Sequence, residues 1–445
     1  MKILFISLGC DKNLVDSEVM LGMLRERGYT FTDDEREADI ICINTCCFIN
    51  DAKQESVDMI LEMAEHKKEG KLKALIVTGC LAQRYKAEIM EEIPEVDACL
   101  GTASYDAIVT AIDDAVAGRK SETYMDLDRL PQVSQKRVVT TGGHFAYLKI
   151  AEGCDKNCTY CIIPKIRGRY RSFPMEKLVN EARQLVENGA KELILVAQET
   201  TLYGKDLYGE KSLHLLLKRL CEIDGLEWIR ILYCYPEEIY DELIETIKTE
   251  KKICKYLDIP IQHCNDTILK RMGRRTSNAD LRSIIEKLRE SIPDIALRTT
   301  LITGFPGETQ EQFEEMLDFV NEMEFDRLGV FTYSPEEDTP ASIMPEQIDE
   351  EVKLNRKNLI MELQQEVAFD KGQDRVGKVF KVMIEGKLED DNVYVGRTYM
   401  DAPNVDGFIF VRSPEELMTG DFVYAKVIGA QEYDLIGEID YEFTE

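Results

Sequence analysis

The feature that most constrains this chain is an alternation of short apolar runs with amphipathic stretches, which occurs in two separate series and then stops. In the first series, residues 1–118, apolar runs at 2–9, 38–45, 73–79 and 96–100 are separated by helical periodicity near 14–27, 52–67, 84–92 and 104–117. Strands that alternate with helices predict a parallel, doubly wound α/β domain. Residues 119–143 lose that periodicity, are rich in charge and read as a linker. The second series, residues 144–371, has strands predicted at 145–151, 193–197, 228–232, 256–261, 296–303 and 327–332, and ends in a long helix over about 349–371. Six βα units are fewer than the eight that close a full barrel, so an open, partial barrel is expected. In residues 372–445 the helical pattern gives way to short alternating runs at 379–384, 392–395, 407–411 and 422–428, which predict a small antiparallel β-barrel.

No run approaches the roughly 18 apolar residues of a membrane span, and the opening Met1-Lys2-Ile3-Leu4-Phe5 reads as a first strand, not as a signal peptide. A soluble, cytoplasmic protein with no membrane partner is the expectation. Thirteen cysteines in such a chain point to reduced thiols or metal ligands, not to disulfides. The net charge of −29 disfavours a polyphosphate, because nucleic-acid binding draws much of its affinity from cationic side chains. A basic protein partner fits better, although a negative charge also simply keeps a chain soluble.

Cys154, Cys158 and Cys161 lie within eight residues, directly after the first strand of the second series. Three thiolates can hold three irons of a cubane cluster and leave the fourth without a protein ligand, which marks a cluster that does chemistry. The competing reading is zinc, but a closed structural zinc wants four ligands and the one histidine near in sequence is His144, ten residues upstream of Cys154. Cys10, Cys46 and Cys80 are far apart in sequence, yet each follows a predicted strand of the first series. Residues just past the carboxyl ends of parallel strands gather along one edge of the sheet, so these three can converge on a second open cluster. Burial as small hydrophobes is the alternative. Adjacent Cys47 leaves the choice at that strand open; Cys42, Cys99, Cys221, Cys234, Cys254 and Cys264 show no cluster spacing and read as packing residues.

The Cys154 loop, with Tyr160 before its last cysteine, resembles the radical S-adenosylmethionine superfamily. The blocks Ser7-Leu8-Gly9-Cys10-Asp11-Lys12-Asn13 with Asp16-Ser17-Glu18, Asn44-Thr45-Cys46-Cys47-Phe48-Ile49, and Thr78-Gly79-Cys80 resemble the methylthiotransferases within it and select Cys46 over Cys47. The resemblance extends over essentially the whole chain, with a terminal module similar to the TRAM domain. It implies two 4Fe-4S clusters, a radical-generating one on Cys154, Cys158 and Cys161 and an auxiliary one on Cys10, Cys46 and Cys80. It also implies S-adenosylmethionine as methyl donor and radical source, and an electron donor such as flavodoxin or ferredoxin.

Two substrate classes compete within that family, an adenosine of tRNA and an aspartate of the twelfth small-subunit ribosomal protein, free or in the subunit. Leu257-Asp258-Ile259-Pro260-Ile261-Gln262-His263, Tyr333-Ser334-Pro335-Glu336-Glu337 and Val395-Gly396-Arg397-Thr398 resemble the protein-modifying branch; Glu199 departs from it, since an aspartate is commoner there. Residues 375–445 hold 7 basic and 15 acidic residues, which suits a basic ribosomal protein. A non-catalytic iron-sulfur carrier explains the cysteines but not six βα units with an open iron. Tyr160, with Gln198 and Glu199 at the end of the second barrel strand and Gly304 and Gly307 at the end of the fifth, is assigned to S-adenosylmethionine binding. The basic run Lys165 to Arg171 suits neutralisation of the cluster and the cofactor carboxylate as well as it suits contact with phosphate, and the run Arg271 to Arg275 fits a helix cap or the barrel rim better than RNA binding.

Overall fold

The computed structural model describes all residues except 69, 132–135, 389–391, 444 and 445. The amino-terminal sheet contains β1 (Lys2–Ser7), β2 (Thr30–Phe31), β3 (Ile40–Thr45), β4 (Ala74–Gly79), β5 (Ala98–Leu100) and β6 (Ser121–Thr123), all parallel, in the order β2-β1-β3-β4-β5-β6. The strands β3 and β4 are buried along their whole length, as continuous Ile, Leu and Val runs require when helices cover both faces. The strand order reverses between β1 and β3, and such a switch point opens a crevice at the carboxyl edge. Helix α1 (Asp11–Glu26) leaves β1 there, with Cys10 as its N-cap.

Two differences from the sequence reading are local. The segment read as a linker supplies β6, because a three-residue strand is too short to register as periodicity. The helix expected over 84–92 is two, Cys80–Tyr85 and Ala87–Glu92, broken at Lys86, whose φ is +45°.

The central sheet begins with β7 (Phe145–Lys149), after which β8 (Ala151–Glu152) and β9 (Arg171–Ser172) form a small antiparallel pair around the cysteine loop. It continues through β10 (Glu192–Val196), β11 (Trp228–Ile231), β12 (Ile253–Asp258), β13 (Ala296–Thr303) and β14 (Arg327–Thr332), parallel throughout and open between β14 and β7. Alternate residues divide the strands: Ala146, Leu148, Leu193 and Leu195 pack under the helices, whereas Phe145, Tyr147, Ile194 and Trp228 face the barrel interior. The expected six-unit partial barrel is present.

The terminal module is a closed barrel of β15 (Val379–Lys387), β16 (Val393–Arg397), β17 (Ile409–Arg412), β18 (Phe422–Gln431) and β19 (Asp434–Ile439). Four of its pairings are antiparallel; the β17 to β19 pairing that closes it is parallel. This barrel seals the amino-terminal mouth of the central one. Arg397, fully buried, donates to Glu192 at 2.7 Å and to Glu385 at 2.5 Å, and Trp228 meets Phe422 edge to face at 4.9 Å. The loop that follows β16 reaches inside, where Asp406 accepts from Tyr256 at 2.8 Å and pairs with Arg298 at 3.3 Å. Among the described residues no helix is long and apolar enough to cross a membrane.

Candidate active site between two sets of cysteines

The loops that carry Cys10, Cys46 and Cys80 are held together by glycine and asparagine. Gly9 has a φ of +90°, and a Cβ there would stand 2.8 Å from Cys46 Sγ, so only glycine lets the β1 loop close on the β3 loop. Asn13 donates to the carbonyls of Leu8 at 2.7 Å and Thr45 at 3.0 Å, and Asn44 donates back to the Asn13 carbonyl at 2.9 Å. Cys46 and Cys80 are buried while Cys10 is exposed, toward the crevice. Burial first, then the neighbouring Cys80 and Cys10, push the Cys46 thiol up to about 12. Cys47 packs in the apolar core that contains Ile60, Val77 and Leu81, which Cys80 also borders. Cys42 is buried in β3, as expected of a packing residue.

The Cys154 loop is clamped from two sides. Thr159 donates its backbone N–H to Met272 at 2.9 Å, and Gly273 (φ +73°) passes so close that a Cβ would stand 2.7 Å from the Asn157 carbonyl. Tyr160 packs edge to face on Phe305 at 6.5 Å, which ties the loop to the Gly304 turn. Burial pushes the Cys154 thiol up to about 12, and Cys161 rises further for the same reason. Among the described residues no three His, Cys, Asp or Glu side chains are placed to share one metal ion.

Beyond β10, Gln198 Oε1 and Glu199 Oε2 are buried acceptors without a hydrogen-bond partner. Burial pushes the Glu199 carboxyl up to about 8; Lys156, 4.0 Å away, does not offset it because its ammonium is engaged by Glu238 at 2.6 Å and Glu237 at 3.1 Å. Orphaned buried acceptors are costly, and the amino and hydroxyl donors of S-adenosylmethionine are of the kind that would satisfy them. The Gly304 turn has its own packing reasons: a Cβ at Gly304 would stand 2.1 Å from Lys353 Cγ, and one at Gly307 2.3 Å from the Arg271 guanidinium.

Charged and polar side chains join the two sets. The helix Ile163–Arg167 leaves the Cys154 loop, places Ile162 and Ile166 in the core of the amino-terminal domain, and ends on Arg167. The Arg167 guanidinium donates to Asp16 at 2.7 Å and Asn13 at 2.8 Å and reaches Cys80 Sγ at 3.6 Å. Lys149 completes the cluster by pairing with both Asp16 and Glu152. Although burial opposes it, Lys149 and Arg167 hold the Glu152 carboxyl down at about 2. Of the first basic run, Arg167 is buried against a thiol. Tyr233, after β11, donates its hydroxyl to Asp11 at 3.2 Å, beside Cys10. The carboxyl edge of the first sheet therefore sits on the carboxyl rim of the second.

Comparison with known proteins is consistent with this architecture. Residues 2–101 match the family described as uncharacterized protein family UPF0004, residues 148–320 the radical SAM superfamily, and residues 376–439 the TRAM domain. The ribosomal protein uS12 methylthiotransferase RimO of Lachnoclostridium phytofermentans is 66% identical over 98% of this chain and 99% of its own length. The chain belongs to the ribosomal protein uS12 methylthiotransferase family. The family member of Clostridioides difficile is 50% identical over the full length of both chains. Among solved structures, the radical S-adenosylmethionine methyltransferase TsrM of Kitasatospora setae shares the fold, with a TM-score of 0.57 and 14% identity over 77% of each chain. The enzyme is a radical S-adenosylmethionine methylthiotransferase whose cofactors are 4Fe-4S clusters and S-adenosylmethionine.

Proposed function

We propose that this chain adds a methylthio group to the β-carbon of an aspartate in ribosomal protein uS12. The observation that carries the reading is that Arg167, on the helix leaving the Cys154 loop, is buried against Cys80 Sγ of the amino-terminal domain at 3.6 Å. Cys154, Cys158 and Cys161 hold the radical-generating cluster, and Cys10, Cys46 and Cys80 hold the auxiliary one. When bound, the clusters and S-adenosylmethionine supply one-electron reduction, a hydrogen-abstracting radical, sulfur and a methyl group, which an unactivated C–H bond requires because it offers no proton to a general base.

The chain's own residues position and enclose that chemistry. Gln198 and Glu199 offer their unpartnered oxygens to S-adenosylmethionine donors, and Tyr160 with the Gly304 to Gly307 turn walls the same site. Glu199 is suited to this because, neutral at pH 7, it can either donate or accept. The terminal barrel excludes water from below. A small one-electron donor such as flavodoxin or ferredoxin serves as reductant.

Reconstituted enzyme, S-adenosylmethionine and a reductant should convert uS12 to a species in which methylthio replaces one hydrogen on an aspartate, read by tandem mass spectrometry. Modification of tRNA alone would overturn the reading.

A further inference from the structure

Lys12 occupies a position that folding alone disfavours on three counts. It is 7% exposed, yet its ammonium has no hydrogen bond and no carboxylate in ion-pair range among the described residues; its one charge-related contact is the ring of Tyr233, 3.3 Å below. Its Nζ is not among the fully buried unpartnered atoms, so the ammonium keeps a path to solvent while most of its side chain is enclosed and no anion offsets its charge. It also sits in the first turn of α1, the end of a helix that repels cations. Finally, the ring beneath it is held in a strained backbone. Tyr233 has a φ of +59°, and its N–H is fixed by Asp258 at 3.1 Å while its carbonyl accepts from the Thr200 N–H and hydroxyl, each at 3.1 Å. Strain that its surroundings over-determine is characteristic of functional sites.

Lys12 is two residues from Cys10, the one cysteine of its set that faces the crevice. It makes no sulfur contact; Arg167 makes that contact, at Cys80. A cation that keeps a path to solvent, is held on an aromatic face and lacks an anion can receive an anion that arrives from outside. On the reading given above, the incoming group is an aspartate whose reacting carbon is bonded to its own carboxylate. We infer that Lys12 receives the side-chain carboxylate of the substrate aspartate and thereby fixes the β-carbon beside the auxiliary site. Tyr233 supports the ammonium, and Asp11, which holds the Tyr233 hydroxyl, orients the ring.

The test uses holoenzyme with both clusters and S-adenosylmethionine bound, and uS12 in two forms, native and with the target aspartate, first mapped by mass spectrometry, changed to asparagine. Equilibrium dissociation constants are measured for both forms with wild type, Lys12→Met and Lys12→Arg. Wild type should prefer aspartate over asparagine by about tenfold or more, since one charge-assisted pair separates the ligands. Lys12→Met should bind both forms alike, and Lys12→Arg should retain part of the preference. A wild type that does not distinguish the two forms overturns the inference, whatever the variants do. So does a Lys12→Met enzyme that keeps the full preference while the midpoint potential of its auxiliary cluster moves, because the lysine would then serve the cluster. Failure of the underlying reading gives a different result: wild type would leave native uS12 unmodified.

Discussion

Replacing Arg167 with methionine should loosen the joint between the two cysteine-bearing domains and nothing else comparable in the molecule. The buried cluster balances two carboxylates, Asp16 and Glu152, against two cations, Lys149 and Arg167, each with a side chain no more than 5% exposed. Methionine fills much of the same volume but leaves both carboxylates to share Lys149. Removal of one partner from a buried ion pair costs about 3–5 kcal/mol. The lower end applies, because one of the lost bonds ends on neutral Asn13 and the nearby crevice at exposed Cys10 gives water a route in. With about 1.4 kcal/mol per tenfold change, 3 kcal/mol becomes a roughly 100-fold faster hydrogen exchange of the α1 amides, whose opening breaks this joint. Exchange in the remote terminal barrel should stay as it is. A second substitution, Asp16→Asn, restores charge balance, and the double variant should recover most of the protection. If α1 exchanges no faster in Arg167→Met, or if the double variant is as unprotected as the single one, the cluster does not hold the domains together and the electrostatic argument fails.

Other outcomes follow from the same geometry. Cys46→Ser should lower iron content by about four of about eight atoms per chain while Cys47→Ser retains it, as measured by iron analysis after reconstitution, because Cys46 neighbours both Cys80 and Cys10 whereas Cys47 neighbours Cys80 from within the apolar core. Glu199 is neutral in the folded chain up to about pH 8 but ionises near 4.5 when unfolded, so it binds more protons folded than unfolded between those values. Stability of the cluster-free protein should therefore fall as pH rises from about 4.5 to 8 and level off above, and Glu199→Gln should remove that part of the slope in denaturant titrations from pH 5 to 9. Gly304→Ala would force a Cβ into Lys353 at a φ of +71°, at a cost of about 1–3 kcal/mol, and should weaken S-adenosylmethionine binding measured by equilibrium dialysis.

What could be read from the sequence was whatever has a period or a local spacing. The strands at 296–303 and 327–332 coincide with β13 and β14, because continuous β-branched and apolar runs between helices leave little freedom. The strand β19 went unread, since Asp434-Leu435-Ile436-Gly437-Glu438-Ile439 alternates weakly, and its parallel pairing with β17 depends on closure of the barrel and not on local pattern. The six cysteines were visible as residues past strand ends. Lys149 was not, and Arg167 and Lys12 were visible only as members of a basic run and a motif block, because the partners of a charged residue do not show in the sequence. Asp16 and Glu152 are 136 residues apart in the chain, and only the docking of one sheet edge on the other brings them to the same two cations.

The charge of the terminal barrel shows the same distinction with a functional consequence. Its acidic excess is a count over the sequence, and part of it is consumed inside the molecule. Glu385 is held by Arg397 and His144, Asp401 by Arg327, and Asp406 by Arg298 and Tyr256. These carboxylates fasten the barrel to the floor of the catalytic one and offer nothing to a partner. Glu415, Glu416, Glu432, Glu438 and Glu442 remain exposed, and they are what a basic ribosomal protein can meet. Exposed charges of one sign steer encounter and orientation more than they add affinity. Surface glutamates cannot single out one aspartate of a basic partner, so its recognition falls to an enclosed cation such as Lys12, whose charge is screened less than those on the outer surface.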